Sequence, residues 1–182
     1  MIKLVLFGHT GSGKSTSASI VRRFFENRGK HVVVLKLAQP LYELQHQFYR
    51  ITDRSIELYQ QDQILLEMIA NQLRRISPSC LIDNFQKRLL EVEADVILND
   101  DLRDPYVDFP ALKKQGFRFI RITCSEEVRL QRLRLRDDLS TNVHSTSSSQ
   151  IDLIEADVMI DNSGNQNEEL EAKLFTVLEG WL

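Results

Sequence analysis

Short apolar runs alternate with longer amphipathic segments along the whole chain. The apolar runs are 2–7, 32–35, 95–98, 117–123 and 156–160, and each has the length of one strand that is buried on both faces. Strands that alternate with helices are typical of a parallel sheet with helices on both faces and right-handed crossovers. The pattern therefore predicts an α/β protein with a five-stranded parallel sheet between two helical layers.

Apolar residues recur at helical spacing in the segments between these runs. The predicted helices are 14–28, 40–49, 56–76, 80–93, 109–115, 125–137 and 168–179. Residues 138–150 are polar and rich in serine, which indicates a mobile segment. The chain shows no internal repeat and no linker, so its 182 residues (1–182) are expected to form a single domain.

The composition of the chain argues against several classes of protein. The formal net charge of −3 gives no overall positive field that would hold nucleic acid. The two cysteines have no spacing that suggests a zinc site or a redox pair. No stretch approaches the ~18 apolar residues of a membrane span, and the apolar N-terminus is too short for a signal peptide. We therefore expect a cytoplasmic protein without a nucleic-acid or membrane partner.

Residues 8–15, Gly-His-Thr-Gly-Ser-Gly-Lys-Ser, match the pattern G-x-x-x-x-G-K-S/T between a predicted strand and a predicted helix. Glycines let such a loop turn its amides toward phosphate oxygens, and the helix adds its positive N-terminal end. Lys14 is expected to reach the β- and γ-phosphates of ATP, and the Ser15 hydroxyl to ligate Mg²⁺. The motif predicts a three-layer P-loop fold. The loop residues expected to bind ATP are Gly8, Thr10, Gly11, Ser12, Gly13, Lys14, Ser15 and Thr16.

Two aspartates, Asp100 and Asp101, follow the third predicted strand. A carboxylate at a strand end beside the phosphate loop can hold Mg²⁺ or its water shell. Neighbouring residues of a strand point in opposite directions, so one of the two is expected to face the site, and either could serve. The alternative interpretation is a polar loop that only ends the strand.

The predicted helix 125–137 carries four arginines. At about 100° per residue, Arg129, Arg132 and Arg136 fall within about 80° of one another, while Arg134 points away. Arginines on one face can stabilise the charge of a phosphoryl group during transfer. The alternative is a solvated helix surface. The residues predicted to be catalytic are Lys14, Asp101, Arg132 and Arg136.

With these residues in place, the chain resembles the deoxynucleoside monophosphate kinase family, within the nucleoside-monophosphate-kinase branch of P-loop proteins. The resemblance extends over nearly the whole chain. It is most specific in residues 8–15, in Lys-Leu-Ala-Gln-Pro-Leu at 36–41 and in Asp-Leu-Arg at 101–103. Asp-Asn-Ser-Gly at 161–164 matches the loop that holds adenine in such kinases, and a histidine beside a serine at 144–145 fits their polar lid.

The resemblance implies a kinase that uses ATP and Mg²⁺ to phosphorylate a small phosphorylated acceptor, a (deoxy)nucleoside monophosphate. It implies a helical acceptor-binding insertion over 37–75 and a lid over 125–150, with adenine near Asn162 and Gly164. The oligomeric state stays open, and a homodimer is allowed. The residues implied for the acceptor are Lys36, Leu37, Ala38, Pro40, Leu41, Arg74, Asp101 and Arg103.

The chain also departs from this family. Met-Ile-Ala-Asn at 68–71 replaces a glycine-threonine-glutamate signature, and Asp-Pro-Tyr at 104–106 replaces an asparagine-glutamate pair. These changes leave open a modified nucleotide or another metabolite, such as dephospho-coenzyme A or a sugar acid, as the acceptor. A nucleotide-binding regulatory protein that does not transfer phosphate is the third interpretation. Measurement of ATP consumption with each member of a panel of acceptors distinguishes the three interpretations.

Overall fold

The fold is taken from a computed structural model that describes residues 1–135, 139–140, 150–164 and 167–182. A single turn of 3₁₀ helix, Ile151–Leu153, precedes the last strand. The strands and helices in chain order are β1 (Ile2–Phe7), α1 (Lys14–Glu26), β2 (Val32–Val34), α2 (Gln39–Ile51), α3 (Gln63–Ile76), α4 (Cys80–Glu91), β3 (Val96–Asn99), α5 (Asp108–Lys114), β4 (Arg118–Thr123), α6 (Glu126–Arg134), β5 (Val158–Asp161) and α7 (Asn167–Glu179).

The strands form one five-stranded sheet in the order β2-β3-β1-β4-β5, and all of its pairs are parallel. Helices α1 and α7 pack on one face, and α4, α5 and the 3₁₀ turn pack on the other. The predicted three-layer α/β fold with a parallel sheet is therefore confirmed. Because β1 is the central strand, the loop that follows it lies at the middle of the carboxyl edge.

Both faces of β1 are buried, which explains why this strand is an uninterrupted apolar run. Leu4 and Leu6 pack into the layer of α1 and α7, whereas Val5 and Phe7 pack into the opposite layer. All four side chains are fully shielded from solvent. Burial of one such side chain contributes about 1.5–3 kcal/mol to folding, so the central strand is a rigid support for the site at its end.

The third helix begins later than its apolar spacing predicts. The prediction was a helix over 56–76, but α3 begins at Gln63 because the Asp62 carboxylate caps it, accepting a 3.1 Å hydrogen bond from the amide of Leu65. Leu58, which has the right spacing for the apolar side of the helix, is 60% exposed in the preceding loop. The spacing of apolar residues alone therefore predicted a helix that begins too early, in a segment that has no buried face.

Asp62 also joins three parts of the chain. Its carboxylate accepts a 2.8 Å hydrogen bond from the hydroxyl of Tyr49 in α2 and another from the hydroxyl of Ser140. The amide of Leu139 donates to the carbonyl oxygen of Gln61 at 2.9 Å. Residues 139–140 of the predicted lid region thus contact the start of α3. Residues 136–138 and 141–149 of that region, with the histidine and serine at 144–145, lie outside the described residues.

Asp62→Ala is expected to lower the free energy of unfolding by about 1–2 kcal/mol, because α3 loses its N-cap and Tyr49 loses its acceptor. Urea unfolding followed by circular dichroism measures the change. Glu127→Ala is a suitable control because Glu127 is an exposed residue in the first turn of α6. This substitution should change the free energy of unfolding by less than about 0.5 kcal/mol. Equal stability of the two variants would contradict the role of Asp62.

None of the described helices combines the length and the apolar character that a membrane span requires.

Candidate active site

The phosphate loop, residues 8–15, connects β1 to α1. Gly8 and Gly13 have φ angles of 149° and 98°, a region that favours glycine. A Cβ atom at Gly8 would lie 2.2 Å from the carbonyl oxygen of Ile122 in β4. A Cβ atom at Gly13 would lie 2.2 Å from Nδ2 of Asn162. Both positions require glycine because other parts of the chain pack directly against the loop.

Lys14 is the first residue of α1, so it stands at the positive end of the helix dipole. Its Nζ atom donates hydrogen bonds of 2.9 Å to the carbonyl oxygens of Gly8 and His9. Ser15 and Thr16 follow in the first turn of the same helix. The ammonium group therefore lies against the loop, and its contact with the phosphate oxygens of ATP stays a prediction.

Helix α6 and the loop after β5 approach the phosphate loop together. Nδ2 of Asn162 donates a 2.8 Å hydrogen bond to the carbonyl oxygen of Ser12. Arg132 donates to the same carbonyl at 3.5 Å and to that of Gly164 at 3.2 Å. The structure thus brings both predicted adenine-loop residues beside the phosphate loop, while their part in binding ATP stays a prediction.

The arginines of α6 point in the two directions that helical spacing predicts. Arg129 and Arg132 are half-buried beside the phosphate loop, and Arg134 is exposed. Arg129 donates hydrogen bonds of 3.0 and 2.6 Å to the carboxylate of Glu126, whereas the hydrogen bonds of Arg132 go to backbone carbonyls. Arg136, the other arginine predicted to be catalytic, lies outside the described residues.

Arg132→Ala is expected to lower the maximal rate of phosphoryl transfer by about 10²-fold, with a much smaller change in ATP affinity when no acceptor is present. The reason is that the guanidinium group of Arg132 donates to neutral carbonyl oxygens, which leave its positive charge available to stabilise a phosphoryl group during transfer. Steady-state kinetics and equilibrium ATP titration measure the two quantities. Arg134→Ala, on the exposed side of α6, is the matched control and should change each by less than about twofold. Equally small effects of both changes would assign Arg132 to the solvated surface.

Asp101 is held by three hydrogen-bond donors. Its Oδ1 atom accepts from the amide of Leu37 at 2.9 Å and from Nδ2 of Asn99 at 2.6 Å. Its Oδ2 atom accepts from the amide of Ala38 at 2.9 Å. Burial raises the pKa of Asp101, and the neighbouring charge of Asp100 adds to the rise. The hydrogen bonds of Asp101 therefore link the turn after β2 to the end of β3.

Asp100 points to a different partner. Its Oδ1 atom accepts a 2.6 Å hydrogen bond from Nζ of Lys36, and both side chains are largely shielded from solvent. The two aspartates thus face different groups, as the alternation of strand side chains predicts. The described residues contain no group of three or more His, Cys, Asp or Glu side chains that could by itself hold a metal ion. The part of Asp100, Asp101 and Ser15 in binding Mg²⁺ stays a prediction.

A cavity of about 330 Å³ lies beside these strand ends. Lys36 and Pro40 are not part of its wall, because Lys36 pairs with Asp100 and Pro40 lies in the first turn of α2. The other residues predicted to bind the acceptor all line it: Leu37, Ala38, Leu41, Arg74, Asp101 and Arg103.

Helix α3 contributes residues to this cavity that the sequence analysis did not single out. Gln63, Glu67 and Asn71 line the wall from the same face of the helix as the predicted Arg74. Their spacing of three or four residues could have indicated a binding face, because it places polar side chains in one stripe along an otherwise apolar helix. The further lining residues that were missed are Tyr42, Gln61, Leu66, Ala70, Leu81, Asp104, Asp108 and Gln150.

Arg74 and Asp108 form a buried ion pair in the cavity wall. The guanidinium of Arg74 donates to Oδ2 of Asp108 at 2.5 Å and to the carbonyl oxygen of Pro78 at 3.1 Å, and it lies 3.4 Å from Asp104. Asp108 is only 2% exposed, and its Oδ1 atom has no hydrogen-bond partner among the described residues. Burial raises the pKa of Asp108 to about 6, although Arg74 acts in the opposite direction.

Asp108 is expected to make the folded protein less stable as the pH rises from about 4 to about 6. Burial together with the charges of Asp104 and Asp101 raises the pKa of Asp108 to about 6, more than Arg74 lowers it. The folded chain therefore binds a proton that the unfolded chain has already released in this window, and that stabilisation is lost as the pH rises.

Urea unfolding of the unmodified protein and of Asp108→Asn at several pH values tests this expectation. The unmodified protein should lose stability relative to the variant between pH about 4 and about 6, and the difference should be constant at higher pH. A difference that is constant over the whole range would contradict the raised pKa.

Comparisons with known proteins agree with this architecture. A family model described as an AAA domain matches residues 3–131. Shikimate kinase from Bacteroides thetaiotaomicron is similar in structure, with a TM-score of 0.58 and 14% identity over 98% of both chains. Shikimate kinase from Acinetobacter baumannii in complex with shikimate has a TM-score of 0.56 and 14% identity over 99% of this chain and 94% of the other.

A sugar kinase from Janibacter has a TM-score of 0.50 and 18% identity over 98% of this chain and 95% of the other. No curated protein is significantly similar in sequence. At these identities the likeness concerns the fold alone, which the chain shares with these shikimate and sugar kinases. The finer resemblance to deoxynucleoside monophosphate kinases stays a prediction.

Proposed function

Since the chain belongs to the AAA domain family of P-loop proteins, we propose that it is a kinase that transfers the γ-phosphoryl group of ATP to a small acceptor. The proposed acceptor is a (deoxy)nucleoside monophosphate, with either an ordinary or a modified base. One observation carries the proposal. A phosphate loop follows β1, and residues that line a cavity of about 330 Å³ follow β2 and β3, the two strands on one side of β1. Donor and acceptor can therefore meet at one edge of the sheet.

The size and lining of the cavity support an acceptor of this kind. Its volume of about 330 Å³ lies at the lower end of the range for small-molecule sites. Leu37, Leu41 and Leu66 offer apolar surface to a base or sugar, and Arg74 and Arg103 offer cationic groups to a phosphate. A few polar groups among apolar walls are what gives such a site its specificity.

The donor half of the site would bind ATP through the amides of the phosphate loop and through Lys14, with the adenine beside Asn162 and Gly164. Oxygen ligands suit Mg²⁺, and the Ser15 hydroxyl together with the carboxylate of Asp100 or Asp101 would supply them. The ion, when bound, neutralises charge on the β- and γ-phosphate oxygens.

In the transfer, an oxygen of the acceptor phosphate forms a bond to the γ-phosphorus, and the bond from that phosphorus to the β–γ bridging oxygen breaks, which releases ADP. This reaction needs positioning and charge neutralisation more than a strong base. Lys14 and Arg132 would supply positive charge from two sides of the phosphate loop. The walls of the cavity would hold the acceptor and exclude water, which otherwise hydrolyses ATP.

The test is ADP formation by the purified protein with ATP and Mg²⁺, against each ribo- and deoxyribonucleoside monophosphate in turn. We expect ADP formation that depends on one of these acceptors and disappears in Lys14→Ala. ATP binding without acceptor-dependent ADP formation would favour a regulatory nucleotide-binding protein instead. A cytoplasmic location and a single domain over 1–182 remain expectations from the sequence.

A second candidate function is phosphorylation of a hydroxylated acid, such as a sugar acid. The observation that favours it is the number of carboxylates in the cavity wall, which suit the hydroxyl groups of such an acceptor. Shikimate, gluconate and dephospho-coenzyme A therefore belong in the same acceptor panel. Turnover of one of these, with no nucleoside monophosphate accepted, would replace the proposed acceptor and leave the kinase assignment intact.

A further inference from the structure

Beside the phosphate loop, His9, Arg121 and Asp152 form a cluster of polar side chains. None of the three lines the acceptor cavity or is among the residues expected to bind ATP. Nε2 of His9, the second residue of the loop, lies 3.1 Å from Oδ1 of Asp152, which belongs to the 3₁₀ turn before β5. The guanidinium of Arg121 in β4 donates a hydrogen bond to the same oxygen. An ionised carboxylate only accepts hydrogen bonds, so His9 is also a donor, and Asp152 links the phosphate loop to the turn and to the sheet.

The turn that carries Asp152 is firmly attached to the protein. Ile151 and Ile154, on either side of it, are 2% and 3% exposed and pack into the core layer that also holds one face of β1. Partial burial acts to raise the pKa of Asp152, but the hydrogen bonds of His9 and Arg121 lower it overall. The carboxylate therefore stays ionised at neutral pH and keeps both partners.

The phosphate loop has open space on the side that His9 occupies. A cavity of about 290 Å³ lies there, between the loop, the end of β4 and the start of α6, and its lining includes His9, Ser12 and Arg121. Further along the loop, Nδ2 of Asn162 donates to the carbonyl oxygen of Ser12 and supports that part. On the side of the cavity, the hydrogen bond to Asp152 supplies support that packing does not.

The same turn also borders the acceptor cavity. Gln150, two positions before Asp152 in the chain, lines the cavity wall. In phosphoryl transfer the acceptor oxygen must lie in line with the γ-phosphorus, and a displacement of about 1 Å can lower the rate by about 10²-fold. An element that contacts the phosphate loop and the acceptor wall can fix the distance between them.

We propose that Asp152 is a positioning residue, which holds the phosphate loop through His9 and keeps it in register with the acceptor wall at Gln150. It contacts neither substrate and acts through His9. The inference rests on the proposed kinase function and adds the 3₁₀ turn Ile151–Leu153 as the element that aligns donor and acceptor. Without this alignment, water forms the bond to the γ-phosphorus in place of the acceptor, and inorganic phosphate is released together with ADP.

Four variants separate the hydrogen bond from the rest of the turn. His9→Ala and Asp152→Ala remove it, whereas His9→Gln keeps an N–H donor that can reach the carboxylate. Glu155→Ala is the matched control, because Glu155 is an exposed carboxylate of the same segment that pairs with Lys113 instead. Equilibrium titration without acceptor measures ATP affinity. The ratio of phosphorylated acceptor to released inorganic phosphate measures the alignment.

His9→Ala and Asp152→Ala should each weaken ATP affinity by about three- to fivefold, a moderate effect because the side chain of Asp152 is 56% exposed. The ratio of phosphorylated acceptor to phosphate should fall by about tenfold in both, since small displacements affect transfer more than binding. His9→Gln and Glu155→Ala should stay within about twofold of the unmodified protein in both quantities. The double variant of His9→Ala and Asp152→Ala should lose no more than either single variant, because both remove one bond.

Equal losses in His9→Gln and His9→Ala would overturn the proposal, and so would losses that add in the double variant. If Asp152 only stabilises the fold, Asp152→Ala unfolds at a lower urea concentration but keeps the ratio of products, which also overturns it. Absence of turnover with every acceptor would overturn the kinase proposal and with it the register to an acceptor. The ATP titrations would still decide whether Asp152 holds the loop: unchanged affinity in His9→Ala and Asp152→Ala would refute that role, and a loss that His9→Gln restores would support it.

Discussion

Lys14→Ala is expected to remove acceptor-dependent phosphoryl transfer, with a loss of at least about 10²–10³-fold in rate, and to leave the fold intact. The ammonium of Lys14 lies on the carbonyl oxygens of Gly8 and His9, at the mouth of the loop. Its expected contribution is positive charge toward a phosphoryl group in transfer, which alanine cannot supply. The side chain is only partly buried, so its removal leaves no large cavity in the core.

ADP formation measures the rate, and circular dichroism checks the fold. Lys30→Ala removes the same charge from an exposed position and should change the rate by less than about twofold. Unchanged turnover in folded Lys14→Ala would refute the kinase mechanism, since no other described group occupies this place at the start of α1.

Gly8→Ala is expected to lower the free energy of unfolding by about 3 kcal/mol or more, a larger effect than most single substitutions have. The φ angle of 149° is already unfavourable for alanine. The added methyl group would lie 2.2 Å from the carbonyl oxygen of Ile122, which belongs to the backbone of β4 and cannot move without disturbing the sheet. Loss of the phosphate-loop geometry should accompany the loss of stability.

Urea unfolding and ATP titration measure the two effects. Gly180→Ala is the control, because a Cβ atom there would meet its nearest neighbour at an ordinary distance of 3.6 Å. It should change stability by less than about 1 kcal/mol. A Gly8→Ala protein that unfolds at the same urea concentration as Gly180→Ala would show that the loop and β4 are not packed as closely as described.

The fold followed from the sequence because its two central strands, β1 and β3, are buried on both faces. The runs 2–7 and 95–98 contain few polar positions, and a parallel sheet covered by helices buries them in this way. The phosphate loop was equally predictable, since its glycines are imposed by backbone geometry and by close packing. In both cases the signal lies in neighbouring residues of the chain.

The details of the candidate site depend on contacts between distant residues, and a single sequence does not reveal them. Asp101 appeared as a catalytic carboxylate, but its contacts depend on where the amides of Leu37 and Ala38 lie. Asp108 gave no signal, because a polar residue at the start of a short helix is ordinary. Its burial and its pairing with Arg74, 34 positions away, depend on how α3 packs.

The hydrogen bonds of Asp101 also have a thermodynamic consequence for binding. The amides of Leu37 and Ala38 lie outside the sheet, but the partly buried carboxylate of Asp101 accepts a hydrogen bond from each of them, as a neighbouring strand would. This wall of the cavity therefore has its shape before any acceptor arrives. A loop that is already ordered loses little conformational entropy on binding, so most of the contact energy of the acceptor remains available as affinity.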